Sequence, residues 1–370
     1  MNILLVEPEF PIPPKSKNHS NFLPIGLLKL ANYYWFNNNS VQLIRGNERA
    51  DFYPDEILIT SLFTYWCIYV KESVEFYRKL YPRAKITVGG IYASLMPDHC
   101  KEYTKCDEVF IGIHREAEKC APAYDLVDVD YQILHGMRGC SRTCSFCGIW
   151  KLEPLSFKNA DQIKSEISFN KVVFYDNNIL VNPDIENILS MLAALTINKK
   201  VVQCECQSGF DGRIIEKNPN LATLIKKARF SNIRLAWDFS FEQYSQVEKW
   251  IEIFNKAGYP SKELFIFMIF NWSFDYEELE RKRAKCFEWG VQISDCRYRP
   301  LNQTFDNYNP NLLSQTNKDY YIHSNWTDKQ VRQFRRDVRK HNICIRQKIG
   351  WNDYSRVKER LYSKKLAKQL

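Results

Sequence analysis

Short apolar runs alternate with helix-like apolar spacing along the first 125 residues. The runs predict β-strands over residues 3–6, 41–44, 56–61, 85–88 and 108–111. Residues 24–36 and 70–80 have the apolar spacing of amphipathic helices, and the second helix is ended by Tyr81-Pro82. This alternation is typical of a parallel sheet with crossover helices. It predicts a small doubly wound α/β domain whose ligand crevice lies at the carboxyl ends of its strands.

A second alternating region runs from residue 131 to about residue 303. Strands are predicted over residues 133–138, 171–175, 201–206, 232–237, 263–270 and 291–297. The helices predicted between them cover residues 161–169, 183–195, 220–228, 244–257 and 276–289. Regular β/α alternation is the signature of a β/α barrel, but six units are too few to close an eight-stranded one.

Three cysteines stand close together after the first strand of this second region. They have C-x3-C-x2-C spacing, Phe146 precedes the last of them, and Gly139 and Gly148 relax the backbone at either end: Cys140, Cys144 and Cys147. Thiolates are ligands for iron–sulfur clusters or zinc, and four usually complete either site. No fourth cysteine lies nearby, so a cluster held here would keep one iron open. The alternative is a set of reduced, partly buried cysteines.

The segment Cys-Ser-Arg-Thr-Cys-Ser-Phe-Cys resembles the cluster loop of the radical S-adenosylmethionine (radical SAM) enzymes, C-x3-C-x-aromatic-C. The resemblance implies that the three cysteines ligate a four-iron four-sulfur cluster and that Phe146 lies against the adenine of SAM. It also implies the family's open six-unit partial TIM barrel, the reductive cleavage of SAM to a 5′-deoxyadenosyl radical, and an electron donor such as flavodoxin or ferredoxin.

Polar residues follow the predicted barrel strands, where such barrels bind ligands. By position in the family, the end of the second strand would bind the amino group of SAM, and it carries Asp176, Asn177 and Asn178. The third strand is followed by three candidate cofactor-binding residues, Gln207, Asp211 and Arg213. Asp211 and Arg213 could instead brace the loop by pairing with each other. Asp238 ends the fourth strand and is a candidate for the ribose hydroxyls, because a carboxylate accepts from two hydroxyls at once.

Arg297 and Arg299 end the sixth strand on either side of Tyr298. An arginine facing the barrel mouth could hold a carboxylate or phosphate through its planar fork. A salt bridge at the barrel rim is the alternative for these arginines.

The first domain resembles the Rossmann-like, cobalamin-binding domain that precedes many radical SAM cores. The resemblance is carried by residues 23–31, Leu-Pro-Ile-Gly-Leu-Leu-Lys-Leu-Ala, and by residues 88–97, Val-Gly-Gly-Ile-Tyr-Ala-Ser-Leu-Met-Pro. It implies cobalamin as a further cofactor, with four residues lining the pocket for its nucleotide tail: Ser61, Thr64, Gly89 and Gly90. The sequence has no Asp-x-His-x-x-Gly motif to offer a lower cobalt ligand, and we assign neither His99 nor His114 to that role.

Composition agrees with a globular chain that buries two cores. Of its 370 residues, 45% are hydrophobic and 26% are charged, and no run approaches the ~18 apolar residues that span a membrane. The amino terminus has no basic leader, so we expect a cytoplasmic protein with reduced cysteines. The remaining nine of the twelve cysteines are scattered. An auxiliary cluster at Cys100, Cys106 and Cys120 remains an alternative.

The carboxyl-terminal residues carry much of the net charge of +9. A helix over residues 327–347 has one apolar face and one basic face, and a second basic helix is predicted over residues 355–370. Such a basic face is either solvated or a surface for nucleic acid or another acidic partner.

We therefore predict a cobalamin-binding-like domain over residues 1–125, a partial barrel over 126–303 and a basic helical extension over 304–370. The predicted function is radical SAM chemistry, as cobalamin-dependent methylation of an unactivated carbon or as hydrogen abstraction without cobalamin. A zinc-containing nucleic-acid-binding module is the alternative of another class.

Overall fold

The computed structural model describes residues 1–12 and 22–355, and the chain divides into two compact units. The first unit comprises Met1–Val173, Arg299–Tyr308 and Asp319–Tyr321. The second comprises Phe174–Tyr298, Asn309–Lys318 and Ile322–Leu370. The boundary predicted at residue 125 lies inside the first unit, and the predicted carboxyl-terminal extension contributes residues to both units.

The first unit is built on a five-stranded parallel sheet of order β2-β1-β3-β4-β5. This is one of the two common strand orders of doubly wound α/β domains, so the predicted α/β class is confirmed. The elements are β1 (Asn2–Glu7), α1 (Ile25–Phe36), β2 (Ser40–Arg45), β3 (Glu56–Ser61), α2 (Cys67–Leu80), β4 (Lys85–Gly90), α3 (Ile91–Leu95), α4 (Pro97–Thr104) and β5 (Glu108–Val109).

The central strands of this sheet bury apolar side chains on both faces because helices cover both faces. Leu4 of β1 is paired in register with Ile57 of β3, which is in turn paired with Ile86 of β4, and all three are buried. Side chains of α2 such as Val70 belong to the cluster on this face. Leu27 of α1 belongs to the cluster formed with the alternate strand residues on the opposite face.

The remainder of the first unit contains the cysteine segment. Two short antiparallel strands flank it, with Met137 opposite Phe157 and Arg138 opposite Ser156. The elements are α5 (Arg115–Glu118), β6 (Gln132–Leu134), β7 (Met137–Arg138), α6 (Ile149–Leu152), β8 (Ser156–Phe157) and α7 (Ala160–Glu166), followed by β9 (Lys171–Phe174), whose last residue begins the second unit.

The second unit continues the alternation of strands and helices, as predicted. Parallel pairing joins β12 to β13 and joins β14, β15 and β16 in that order. The elements are α8 (Ile185–Ala194), β10 (Thr196–Ile197), β11 (Lys200–Val201), β12 (Gln203–Cys206), α9 (Gly212–Lys217), α10 (Asn220–Lys227), β13 (Phe230–Ser231), β14 (Ile233–Ala236), α11 (Tyr244–Lys256), β15 (Leu264–Phe270), α12 (Tyr276–Glu288), β16 (Gln292–Arg297) and α13 (Asp328–Gln347).

The hairpin of β10 with β11 and the helix α9 were not predicted in the second unit. Val201 lies in a hairpin with β10 rather than in the following strand, because Asn198 and Lys199 adopt positive φ angles of 49° and 64° and form its two-residue turn. The short helix α9 begins at the cap residue Asp211. It packs on α11 so closely that a methyl group at Gly212 would lie 2.1 Å from the Trp250 ring.

The carboxyl-terminal helix α13 forms as predicted. Thr327 and Gln330 cap its start reciprocally, and five side chains line its buried face: Val331, Phe334, Val338, His341 and Cys344. This face packs against β16 and α12. The second basic helix, predicted over residues 355–370, falls outside the described residues apart from its first residue. Among the described residues, no helix combines the length and apolar character needed to cross a membrane.

Candidate functional site

The cysteine segment is a loop whose two ends are fixed by β7 and β8. Lys158 N–H donates to Gly136 O (2.9 Å) just beyond the strand pair. Gly139, the residue before the first cysteine, has a φ of +70°, and a methyl group there would lie 2.8 Å from Glu153 O. The predicted role of Gly139 is therefore confirmed. Gly148 has an ordinary φ of −90°, so it is not needed for backbone freedom, contrary to the prediction.

The three cysteines of the segment are half-buried rather than part of a core. The Arg142 backbone N–H donates to Cys140 Sγ (3.4 Å), and the Ile149 backbone N–H hydrogen-bonds the Cys147 sulfur. Burial raises the pKa of the Cys147 thiol, and the nearby Cys140 adds to that rise. Backbone N–H groups directed at sulfur are a recurrent feature around cluster-ligating thiolates. The donor types and their partial exposure fit an iron–sulfur cluster.

Within residues 1–12 and 22–355, no group of three or more His, Cys, Asp or Glu side chains is arranged to hold one metal ion. This covers the cysteine segment and also the alternative set of Cys100, Cys106 and Cys120. A four-coordinate zinc needs all its ligands around one atom. The ligands of a four-iron cluster bind different irons, so their sulfurs lie farther apart.

Backbone hydrogen bonds place the carboxyl ends of the second unit's strands beside one another. Gln207 N–H donates to Phe174 O (2.9 Å), and the next contacts along this edge are Phe210 N–H to Arg234 O (2.8 Å), Trp237 N–H to Phe267 O (3.0 Å) and Tyr298 N–H to Phe270 O (2.9 Å). We call this side of the unit the polar edge. The candidate residues that lie along it are Asp176, Asn177, Asn178, Gln207, Asp211, Arg213 and Asp238.

Two buried acceptor atoms on the polar edge have no hydrogen-bond partner among the described residues. They are Asn178 Oδ1 and Gln207 Oε1. The amide nitrogen of Asn178 donates to Asp211 Oδ2 (3.1 Å), so the orientation of that side chain is set. Asp176 is fully buried and lies near Cys206, whose thiol pKa is raised to about 12 by burial and by that carboxylate. Because buried acceptors are costly when unpaired, this edge is suited to a ligand that donates several hydrogen bonds.

Asp211 and Arg213 pair with each other. Asp211 caps α9, and its Oδ1 accepts from the Arg213 backbone N–H (3.2 Å) and from Arg213 Nε (3.1 Å). The bracing interaction is thus confirmed, while a cofactor-binding role for either residue stays a prediction. The bracing also fixes the carboxylate to which Asn178 donates.

Asp238 is a perturbed acid at the end of β14. Burial raises its pKa to about 6, although the nearby cations Lys282 and Arg213 oppose the rise. Sequence reasoning missed Lys282, whose buried ammonium donates to Phe239 O (2.6 Å) and lies 3.5 Å from a Glu278 oxygen. The signal was present, because Lys282 occupies an apolar-face position of α12 between Leu279 and Cys286. Burial lowers the pKa of Lys282 to about 8.

The two arginines after the sixth predicted strand have different surroundings. Arg299 pairs with Asp306 (2.6 Å) and lies 4.6 Å from the centre of the Tyr65 ring, all within the first unit. The salt-bridge alternative is therefore confirmed for Arg299. Arg297 is the last residue of β16 in the second unit and is buried.

The candidate cobalamin residues of the first unit are engaged with one another. Ser61 Oγ donates to Gly89 O (2.7 Å) and accepts from Ala93 N–H (3.1 Å) at the start of α3. Gly90 has a φ of +100°, and a methyl group there would lie 2.3 Å from Ser61 O. Thr64 is buried. Ser61 and Gly90 therefore help to fix α3 at the end of the sheet, and a cobalamin-binding role for the four residues stays a prediction.

Neither histidine left unassigned stands free. His99 Nδ1 is hydrogen-bonded to Tyr92 Oη (2.7 Å), and His114 Nδ1 accepts from Ala117 N–H (3.1 Å) at the start of α5. On α13, the exposed basic side chains are those of Lys329, Arg335, Arg336, Arg339 and Arg346. Arg332 is drawn into an ion pair with Asp328 (2.7 Å).

Comparisons with known proteins assign no family. No family model matches the chain, and no curated protein matches it. Among solved structures it is similar to SuiB from Streptococcus suis bound to S-adenosylmethionine, with a TM-score of 0.39 and 14% sequence identity. The match covers 74% of this chain and 63% of the SuiB chain, which is less than two thirds of that protein. A TM-score below 0.5 does not establish a shared fold, so the function proposed below rests on the chain's own residues.

Proposed function

We propose that this protein is a radical SAM enzyme. Cys140, Cys144 and Cys147 are the proposed ligands of a four-iron four-sulfur cluster, and Phe146 is the proposed contact of the adenine of SAM. The polar edge of the second unit offers hydrogen-bond acceptors that suit the donor groups of SAM. The alternation of strands and helices over residues 126–303 is the pattern that the open six-unit barrel of such an enzyme requires. When bound, the cluster and SAM supply an electron and a 5′-deoxyadenosyl radical able to abstract hydrogen from carbon.

The buried unpaired acceptors of the polar edge carry this proposal. SAM is rich in donors, since it has an ammonium group and two ribose hydroxyls. Asn178 Oδ1 and Gln207 Oε1 are buried acceptors that would each gain a hydrogen bond from such a ligand. Asp176 adds a buried carboxylate beside them that would attract the ammonium group.

The remaining residues of the polar edge have distinct roles in this proposal. Asp211 and Arg213 brace each other and hold the Asn178 amide in orientation. Asp238 accepts from the ribose hydroxyls once it is ionised, and Lys282 anchors the loop that carries it through Phe239 O. These residues bind and orient, and none is required to move a proton.

Hydrogen abstraction without cobalamin is the form of the reaction that we favour. The Ser61 hydroxyl already has two backbone partners, and the Gly90 backbone lies close against Ser61 O. We therefore propose no step through cobalamin. The zinc module is disfavoured by the lack, among the described residues, of a group arranged around one ion.

Anaerobic reconstitution with iron and sulfide tests the proposal. The wild-type protein should bind roughly four irons per chain and, with dithionite and SAM, release 5′-deoxyadenosine. Replacing Cys140, Cys144 and Cys147 by alanine together should abolish both results. The matched control replaces Cys120 and Cys296, which lie outside the segment, and should retain both. Stoichiometric zinc without iron in the wild-type protein would end the proposal.

A further inference from the structure

We propose that the first unit's α/β domain is a clamp that holds both ends of the cysteine segment, with Glu118 and Leu95 as positioning residues. In this inference the domain is a scaffold for the segment and not a cobalamin-binding module. It rests on the proposed function only in treating the three cysteines as cluster ligands. All the residues that carry it belong to the first unit.

A buried ion network holds the start of the segment. Glu118, at the end of α5, accepts two parallel hydrogen bonds from Arg138 (both 2.9 Å) and pairs with Lys29 of α1 (2.9 Å). Arg138 Nη1 lies 3.4 Å from Glu153 Oε1. The other oxygen of Glu153, Oε2, accepts a hydrogen bond from Gly139 N–H (3.2 Å). The network thus runs from a helix on the five-stranded sheet to the residue next to Cys140.

The four charged side chains of this network are largely shielded from water. Lys29, Arg138, Glu153 and Glu118 are only 8%, 16%, 18% and 22% exposed, so water screens them little. Burial alone would raise the pKa of Glu118, but Arg138 and Lys29 lower it below its usual value. A bidentate Arg–carboxylate pair also fixes orientation as well as distance. Removing the charge of Glu118 would leave two buried cations without their shared partner.

Apolar packing holds the other end of the segment. A methyl group on Gly148, the residue after Cys147, would lie 3.3 Å from Leu95 Cδ2 and 3.5 Å from Leu301 Cδ2. Leu95 ends α3, and α3 packs on α6, the helix that begins at Ile149. The segment's last cysteine is therefore positioned by a helix that stands at the carboxyl end of β4.

The same helix explains why the predicted cobalamin residues are occupied. Ser61 Oγ accepts from Ala93 N–H in α3, and Gly90 allows the strand end to approach Ser61. Residues that a cobalamin-binding domain would turn toward a ligand thus fix α3, which carries Leu95 to Gly148. The carboxyl edge of this sheet is used for an intramolecular contact.

Thiol alkylation in the full-length protein tests the clamp without requiring the cluster. In metal-free, reduced protein, Glu118→Gln should raise the rate at which iodoacetamide modifies Cys140 on the order of tenfold, since a charged hydrogen-bond network is lost. Leu95→Ala should raise the rate at Cys147. The rate at Cys296, an exposed cysteine of the second unit, should not change and serves as the internal reference.

A matched control separates positioning from general stability. Asp107→Asn removes an ion pair with Arg78 and a hydrogen bond from Ile86 N–H elsewhere in the same sheet. It should lower Tm without changing the alkylation rates at Cys140 and Cys147. After reconstitution, Glu118→Gln should also shift the midpoint potential and electron paramagnetic resonance spectrum of the cluster, whereas Asp107→Asn should not.

Each outcome of these experiments either supports or overturns the clamp. Equal alkylation rates in Glu118→Gln and Asp107→Asn would overturn the clamp, as would stoichiometric binding of hydroxocobalamin by the wild-type protein. If the wild-type protein takes up no iron while Glu118→Gln still accelerates alkylation of Cys140, the clamp stands and the proposed radical function fails. The two proposals can therefore fail separately.

Discussion

Both units place polar residues at the carboxyl ends of parallel strands, but they use them differently. At the sheet edge of the first unit, Ser61 donates to one backbone group and accepts from another. At the polar edge of the second unit, Asn178 Oδ1 and Gln207 Oε1 are buried, with no partner within the described part of the chain. One edge is satisfied by its own chain, and the other retains unmet hydrogen-bonding capacity.

A polar group at a strand end can bind a ligand only if its hydrogen-bonding capacity is not already used within the protein. Strand-end placement follows from topology and applies equally to both edges. The energetic state of the polar atoms differs, because a satisfied hydroxyl gains nothing from a ligand while an unpaired buried acceptor does. We therefore expect substitutions at the two edges to have opposite effects on stability.

The largest effect on stability is expected at Gly90, on the sheet edge of the first unit. Gly90→Ala would place a methyl group 2.3 Å from Ser61 O at a φ of +100°, so we expect a loss of more than about 3 kcal/mol in unfolding free energy. Gly46→Ala is the control, because Gly46 has a φ of +115° but nothing within 4 Å of the added methyl. Its loss should be only about 1–3 kcal/mol by urea unfolding. Equal losses would mean that Ser61 and Gly90 are not in close contact.

Intermediate changes in unfolding free energy, of opposite sign at the two edges, are expected when the polar group of Gln207 or of Ser61 is removed. Gln207→Met should leave the unfolding free energy unchanged or raise it by about 1 kcal/mol, because a buried unpaired acceptor is lost. The same change should weaken SAM binding about tenfold by calorimetry. Ser61→Ala should lower stability by about 1–2 kcal/mol and leave SAM binding unchanged. Equal losses of stability in Gln207→Met and Ser61→Ala would contradict the proposed difference between the two edges.

The smallest effect is a pH dependence at Asp238. Its folded pKa of about 6 lies above the usual 3.8, so the folded state binds the extra proton between those values. Stability should therefore fall as pH rises from about 4 to about 6. Asp238→Asn should remove this loss and be more stable than wild type at pH 7 by on the order of 1 kcal/mol, with no advantage near pH 4. A constant difference between the two proteins across this range would contradict the assignment.

Much of the fold was accessible from local pattern. The strand over residues 56–61 agrees with prediction because it is built on a short continuous apolar run, and the helix that starts at Tyr244 agrees because its buried residues recur at helical spacing. The hairpin at Asn198 and Lys199 was missed, since neither residue is the glycine that normally announces such a turn. Helix α9 was missed because six residues are too few to show a helical period.

The candidate site also combines features that the sequence predicts with features that only the tertiary structure sets. The spacing of Cys140, Cys144 and Cys147 and the positions of the strand ends are properties of the sequence alone, because ligand type and periodicity are local. Which strand-end side chains remain unpaired depends on contacts between residues far apart in the chain, such as Asn178 with Asp211. The burial of Lys282 beside Asp238 and the ion network from Lys29 to Glu153 likewise required the tertiary structure. Hydrogen-bond satisfaction and desolvation are set by packing, and packing cannot be read from residue spacing.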